Sequence, residues 1–132
     1  MRLAVDTSVV VKWFVEEDGS DRAVEYLRED LFAPDLLSAE LASALWKKVR
    51  LSEITAGHAE DSFSRLVSFV TLIASVDLGE QALSIALELD HPVYDCFFLA
   101  FAETGGFEFV TADIKLIRRC EGTRFEPLLL RL

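Results

Sequence analysis

Short apolar runs alternate along the chain with longer stretches in which apolar residues return every three or four positions. The first pattern suits buried strands and the second amphipathic helices. A strand is expected over Arg2–Val5, then a short helix from Thr7, with Thr7 or Ser8 as its cap, to Phe14. The acidic stretch Glu16–Ser20 reads as a loop, and a helix from Asp21 to about Glu29 places Ala23, Val24 and Leu27 on one face. Leu31–Ala33 is a short strand that Pro34 ends. A helix over Leu36–Arg50 carries Leu37, Leu41, Ala44, Leu45 and Lys48 along one stripe, with Glu40 at its flank. After a turn in which Thr55 can cap, His58–Val70 reads as a helix with Phe63, Leu66, Val67 and Val70 apolar. Thr71–Val76 is a strand, and Glu80–Leu89 a helix. Pro92 leads into a helix over Tyr94–Thr104 with Asp95, Phe98, Leu99 and Ala102 on one face, stopped by Gly105-Gly106. Phe107–Thr111 is a strand, Asp113 opens a basic helix ending near Cys120, and Phe125–Leu132 is a late edge strand. Strands alternating with helices imply one α/β domain over residues 1–132, with a mainly parallel central sheet.

Four acids stand where these segments join: Asp6 after the first strand, Glu40 in the long helix, Asp95 at a helix start and Asp113 after a late strand. Unpaired buried charge is expensive, and converging carboxylates raise one another's pKa values. A divalent cation removes the conflict. Hard oxygen donors suit Mg²⁺ or Mn²⁺, the ions of phosphoryl chemistry. The ends of strands in an open parallel sheet are where such sites form.

Composition narrows the chemistry. At 52% hydrophobic and 27% charged, the sequence is that of a globular protein. The net charge of −10 argues against a protein that coats nucleic acid by bulk charge. It leaves room for an enzyme that meets phosphates through metals and local bases, such as Lys12, the run Lys47-Lys48-Val49-Arg50, and Lys115 with Arg118 and Arg119. Cys96 and Cys120 lack metal-binding spacing and read as reduced core thiols. With no apolar run near the ~20 residues of a membrane span, the expectation is a cytoplasmic protein. His58 and His91 have no metal-like spacing and read as surface or loop residues, while Trp13 and Trp46 read as packing residues.

Three segments, with Glu40 between the first two, carry a resemblance. They are Val5-Asp6-Thr7-Ser8-Val9-Val10-Val11-Lys12-Trp13-Phe14, Tyr94-Asp95-Cys96-Phe97-Phe98-Leu99-Ala100-Phe101-Ala102 and Val110-Thr111-Ala112-Asp113-Ile114-Lys115-Leu116. In order and spacing the chain resembles, end to end, the PIN-domain ribonucleases of the VapC toxin type. The resemblance implies a PIN-like sheet with helices on both faces. It implies that Asp6, Glu40, Asp95 and Asp113 bind Mg²⁺ or Mn²⁺, with the hydroxyls of Thr111 and Ser8 beside them. It implies an endoribonuclease in which a metal-activated water attacks the scissile phosphate, without a protein nucleophile. It also implies a protein antitoxin of the VapB type that obstructs the site, a homodimer and larger toxin–antitoxin assemblies. Lys12, Lys115 and Arg118, near the motifs, are plausible phosphate contacts.

Other readings remain beside this one. The same architecture without cleavage would be a catalytically silent PIN-like interaction subunit. A haloacid-dehalogenase-type phosphatase needs a second acid where Ser8 stands, and no Gly-rich loop supports a P-loop NTPase. Taken singly, Asp6 and Asp113 are ordinary turn or cap residues.

Overall fold

Leu3, Ala4 and Val5 are almost wholly shielded from solvent, because the strand that carries them lies in the middle of a sheet with a neighbour on each side. The computed structural model describes all 132 residues. Its strands are β1 (Arg2–Val5), β2 (Asp30–Pro34), β3 (Val70–Ile73), β4 (Glu108–Thr111) and β5 (Leu129–Arg131). They form one sheet in the order β3-β2-β1-β4-β5, and every pairing is parallel. The helices are α1 (Thr7–Phe14), α2 (Ser20–Glu25), α3 (Leu36–Arg50), α4 (Ala56–Phe69), α5 (Gly79–Leu89), α6 (Val93–Gly105) and α7 (Ile114–Cys120).

Chain order runs outward from β1 to β3, then jumps to β4 on the other side of β1. Right-handed crossovers therefore send α1–α4 to one face and α5 and α6 to the other. The packing agrees: α1 lies against α2 and α3, α3 against α4, and α5 against α6. Phe98 of α6 stacks on Phe109 of β4 at 6.1 Å between centroids, and Phe101 stacks on Phe107 at 5.2 Å. The jump also creates a crevice at the C-terminal ends of β1 and β4, where diverging crossovers leave room for a site. The register pairs Val5 with Val110, so Asp6 and Thr111 emerge side by side.

Several local expectations change. Asp6, rather than Thr7 or Ser8, caps α1 by accepting from the Ser8 N–H. The helix expected over Asp21–Glu29 stops at Glu25 and tightens into a 3-10 turn over Tyr26–Arg28, leaving Val24 exposed while Ala23 is buried. Pro34 ends β2 from inside it, as the last residue paired with β3, opposite Ile73, and beyond Phe32, the last residue of β2 paired with β1. The strand expected over Thr71–Val76 is shifted to Val70–Ile73 and followed by a 3-10 turn over Val76–Leu78. On α4 the buried residues are Ser62 and Leu66, while Val67 is 74% exposed and Phe63 also faces solvent. Trp46 is 55% exposed with the Arg50 guanidinium over its ring, so it is not a packing residue. Trp13 is one: its indole N–H donates to the Ala23 carbonyl at 2.9 Å and its ring meets Phe14 and Phe69 edge-on. Both cysteines are buried and free. No helix is long and apolar enough to cross a membrane.

Candidate metal centre

The switch-point crevice is laced by two short relays. The Ala112 N–H donates to Ser8 Oγ at 2.9 Å, and the Ser8 hydroxyl donates to Asp6 Oδ1. The Asp113 N–H donates to Thr111 Oγ1 at 3.1 Å, and the Thr111 hydroxyl donates to Asp6 Oδ2 at 2.6 Å. The Ser8 N–H gives Asp6 Oδ1 a further bond at 3.1 Å. These bonds explain how a carboxylate only 6% exposed is held at the end of the central strand. Ser8 and Thr111 thus stand beside Asp6 and hold its two oxygens.

Each remaining acid is held by one oxygen. The Thr7 hydroxyl donates to Glu40 Oε1 at 2.9 Å, joining the start of α1 to α3. His91 Nε2–H donates to Asp95 Oδ2 at 2.7 Å. Asp113 caps α7, its Oδ1 accepting from the Lys115 and Leu116 N–H groups at 3.0 and 3.3 Å. Glu40 Oε2, Asp95 Oδ1 and Asp113 Oδ2 have no protein donor.

The acids feel one another. Burial, opposed by the Ser8 and Thr111 bonds, pushes the Asp6 carboxyl up to about 7, and the charges of Asp95 and Asp113 add to the rise. Burial also raises Asp95, with the His91 bond opposing and Asp113 adding. Glu40 is raised by burial, against the Thr7 bond, with Asp95 adding. As the side chains stand, no three acid, histidine or cysteine groups are gathered to hold one ion. By chemistry the donor set fits a hard divalent cation: three donor-free oxygens and the buried Asp6 carboxylate, all hard oxygens, with the Asp95 charge felt by both Asp6 and Glu40.

A polar cleft of about 680 Å³ opens beside the cluster, its lining acids Asp90, Asp95, Asp113 and Glu121 facing His91 and the bases Lys115, Arg118 and Arg119 of α7. None of those three cations is paired with a carboxylate. Lys12 differs: its Nζ bonds Glu17 at 3.1 Å and the Asp18 carbonyl at 2.7 Å, tying down the loop after α1. Two residues of the centre escaped the sequence reading. Thr7 was legible only as a cap. His91, read as a surface or loop residue, does lie in the link between α5 and α6, but its side chain is only 8% exposed against Asp95; its sole signal is a position four before that acid.

Fold and site together define an α/β protein with a carboxylate cluster at the switch point of a parallel sheet. The chain belongs to the PIN domain family, whose pattern it matches over residues 3–122. It is similar to two proteins of Pyrobaculum aerophilum. One is named ribonuclease VapC3, 27% identical over 124 residues that span 90% of this chain and 95% of that protein. The other is named exonuclease VapC9, 31% identical over 106 residues that span 80% of this chain and 79% of that protein. Among solved structures, a toxin–antitoxin complex from Klebsiella pneumoniae shares the fold at a TM-score of 0.73 and 18% identity, over 97% of this chain and 95% of that one.

Proposed function

We propose that this chain is a Mg²⁺- or Mn²⁺-dependent endoribonuclease and the toxin of a toxin–antitoxin pair. The observation that carries the reading is the cleft itself, where Asp95 and Asp113 share a wall with the unpaired Lys115, Arg118 and Arg119. Such a cleft offers a cation site and a phosphate contact within one substrate's reach. Asp6, Glu40, Asp95 and Asp113 would hold the metal. When bound, Mg²⁺ or Mn²⁺ lowers the pKa of an attacking water and neutralises charge at the phosphate. The chain's own residues do the rest. Ser8 and Thr111 keep Asp6 aimed, Thr7 and His91 hold Glu40 and Asp95, and the α7 bases fix the ribose–phosphate backbone by charge-assisted bonds. No serine or cysteine nucleophile with an activating base stands in the cleft, in keeping with attack by water.

Relatives named ribonuclease and exonuclease support phosphodiester cleavage, and the Klebsiella toxin–antitoxin complex supports a toxin with a protein inhibitor. The antitoxin would be a VapB-like protein presenting a basic side chain to the acid cluster. A homodimer working in the cytoplasm, joined into larger assemblies with the antitoxin, completes the proposal. The purified chain, free of partner, is incubated with total RNA in Mg²⁺, in Mn²⁺ and in chelator, beside Asp6→Asn and Asp95→Asn. Discrete metal-dependent cuts lost in both variants are expected. A folded wild type that neither cuts nor binds metal would instead be an interaction subunit.

A further inference from the structure

Among the four acids, Asp95 alone is held by a histidine. The backbone that carries that ring is fixed at several points. Asp90 closes α5 in the left-handed region at φ 50°, and the His91 N–H still reaches back to the Ala86 carbonyl at 3.2 Å. Pro92, at φ −50°, then starts α6. The thiol of Cys96 lies 3.9 Å from the His91 carbonyl and 3.5 Å from that of Pro92, so the first turn of α6 closes back on this link. With the side chain 8% exposed, the imidazole has little freedom to leave Asp95. A first-turn carboxylate without such a partner would rotate and present either oxygen, or both.

We propose that His91 is a positioning residue that holds Asp95 by Oδ2 and so makes it a one-oxygen ligand, selecting Mg²⁺ or Mn²⁺ over Ca²⁺. The proposal rests on the metal-centre reading above. Its physical basis is the difference between the ions. Mg²⁺ demands near-octahedral geometry, retains waters and takes few carboxylates. Ca²⁺ accepts more oxygens and readily takes both oxygens of one carboxylate. A histidine bond on Oδ2 leaves only Oδ1 without a donor, which penalises the two-oxygen mode that favours Ca²⁺. Partners of ligating groups that lie outside the metal's own shell typically change affinity by about 10- to 100-fold when removed.

The test uses the full chain, with Mn²⁺ affinity read from the free-ion resonance signal and Ca²⁺ affinity by competition. His91→Leu removes the donor at similar size. His91→Gln keeps an N–H at comparable reach. Asp95→Asn and the His91→Leu/Asp95→Asn double variant complete a cycle. His91→Leu should weaken Mn²⁺ binding by about 10-fold and lower the Mn²⁺-over-Ca²⁺ preference, while His91→Gln stays near wild type. In the Asp95→Asn background, His91→Leu should add no further loss, because its effect passes through Asp95. Circular dichroism in chelator checks that each variant is folded. Wild-type Mn²⁺ affinity in His91→Leu, an equal loss in His91→Gln, or additive losses in the double variant would each overturn the proposal alone. A wild type that binds no Mn²⁺ would overturn the metal-centre reading and this proposal with it.

Discussion

Replacing Asp6 by asparagine should make the metal-free protein more stable at neutral pH. The carboxyl, ordinarily near 3.8, is raised to about 7 by burial. A folded-state pKa raised by about three units is worth about 4 kcal/mol at 1.36 kcal/mol per unit. Because the folded pKa is the higher one, the native state holds the proton more tightly than the unfolded chain. The group's contribution is intact below about 3.8 and is lost as pH rises to about 7. Asp6→Asn has no charge to bury, so its advantage grows across that window. Against it stands the Thr111 hydroxyl, which loses a charged acceptor, at about 1 kcal/mol. The net expectation is about 3 kcal/mol in favour of the variant at pH 8 and close to nothing, or slightly against it, near pH 4. Urea unfolding of both proteins in chelator, from pH 4 to 8, reads this directly. Mg²⁺ at a hundred times its dissociation constant should then return about 2.7 kcal/mol to the wild type alone. A variant less stable than wild type by the same amount at every pH would show that burial of the Asp6 carboxylate costs the fold nothing.

Other outcomes follow from the same geometry. At limiting Mg²⁺, cleavage should rise with pH through about 7, as Asp6 loses its proton, and saturating metal should move that limb lower because metal and proton compete; a flat profile at limiting metal would contradict this. Thr7→Val should weaken Mn²⁺ binding by about 10-fold by releasing Glu40 and cost about 1 kcal/mol of stability, measured by titration and urea unfolding. Alanine at Lys115, Arg118 or Arg119 should raise KM for RNA with little change in kcat, and reduce the salt slope of binding by about one each; unchanged salt slopes would remove the α7 bases from the substrate path.

The legible parts of the chain were those decided locally. Arg2–Val5 and Leu36–Arg50 appear at the expected residues because an apolar run between polar joints and a long helical stripe each fix their own limits. Asp6, Glu40, Asp95 and Asp113 were visible because acids rarely interrupt apolar segments without cause. What stayed hidden depends on partners far away in sequence. Val24 and Val67 have the right periodicity, but whether another element covers them is settled only by packing. The bonds of Lys12 to Glu17 and the Asp18 carbonyl depend on how the following loop folds back. Thr7 meets Glu40 across 33 residues, and His91 meets Asp95 only because the α5–α6 link turns back on itself. Trp46 resembles a core residue in sequence and lies on the surface in the fold.

The proposed reaction is internal RNA cleavage by water at a divalent-metal site. A circular form of an RNA that the chain cuts in the total pool tests it most directly, because a circle offers no end to an exonuclease. Opening of the circle is measured in Mg²⁺ and in chelator, with wild type and Asp95→Asn, and the new ends are characterised chemically. The expected result is Mg²⁺-dependent opening, lost in chelator and in the variant, with plain phosphate and hydroxyl ends. Opening at full rate in chelator, or 2′,3′-cyclic phosphate ends, would contradict the account. Degradation of the linear form alone would contradict the endonuclease and leave a metal-dependent exonuclease in its place.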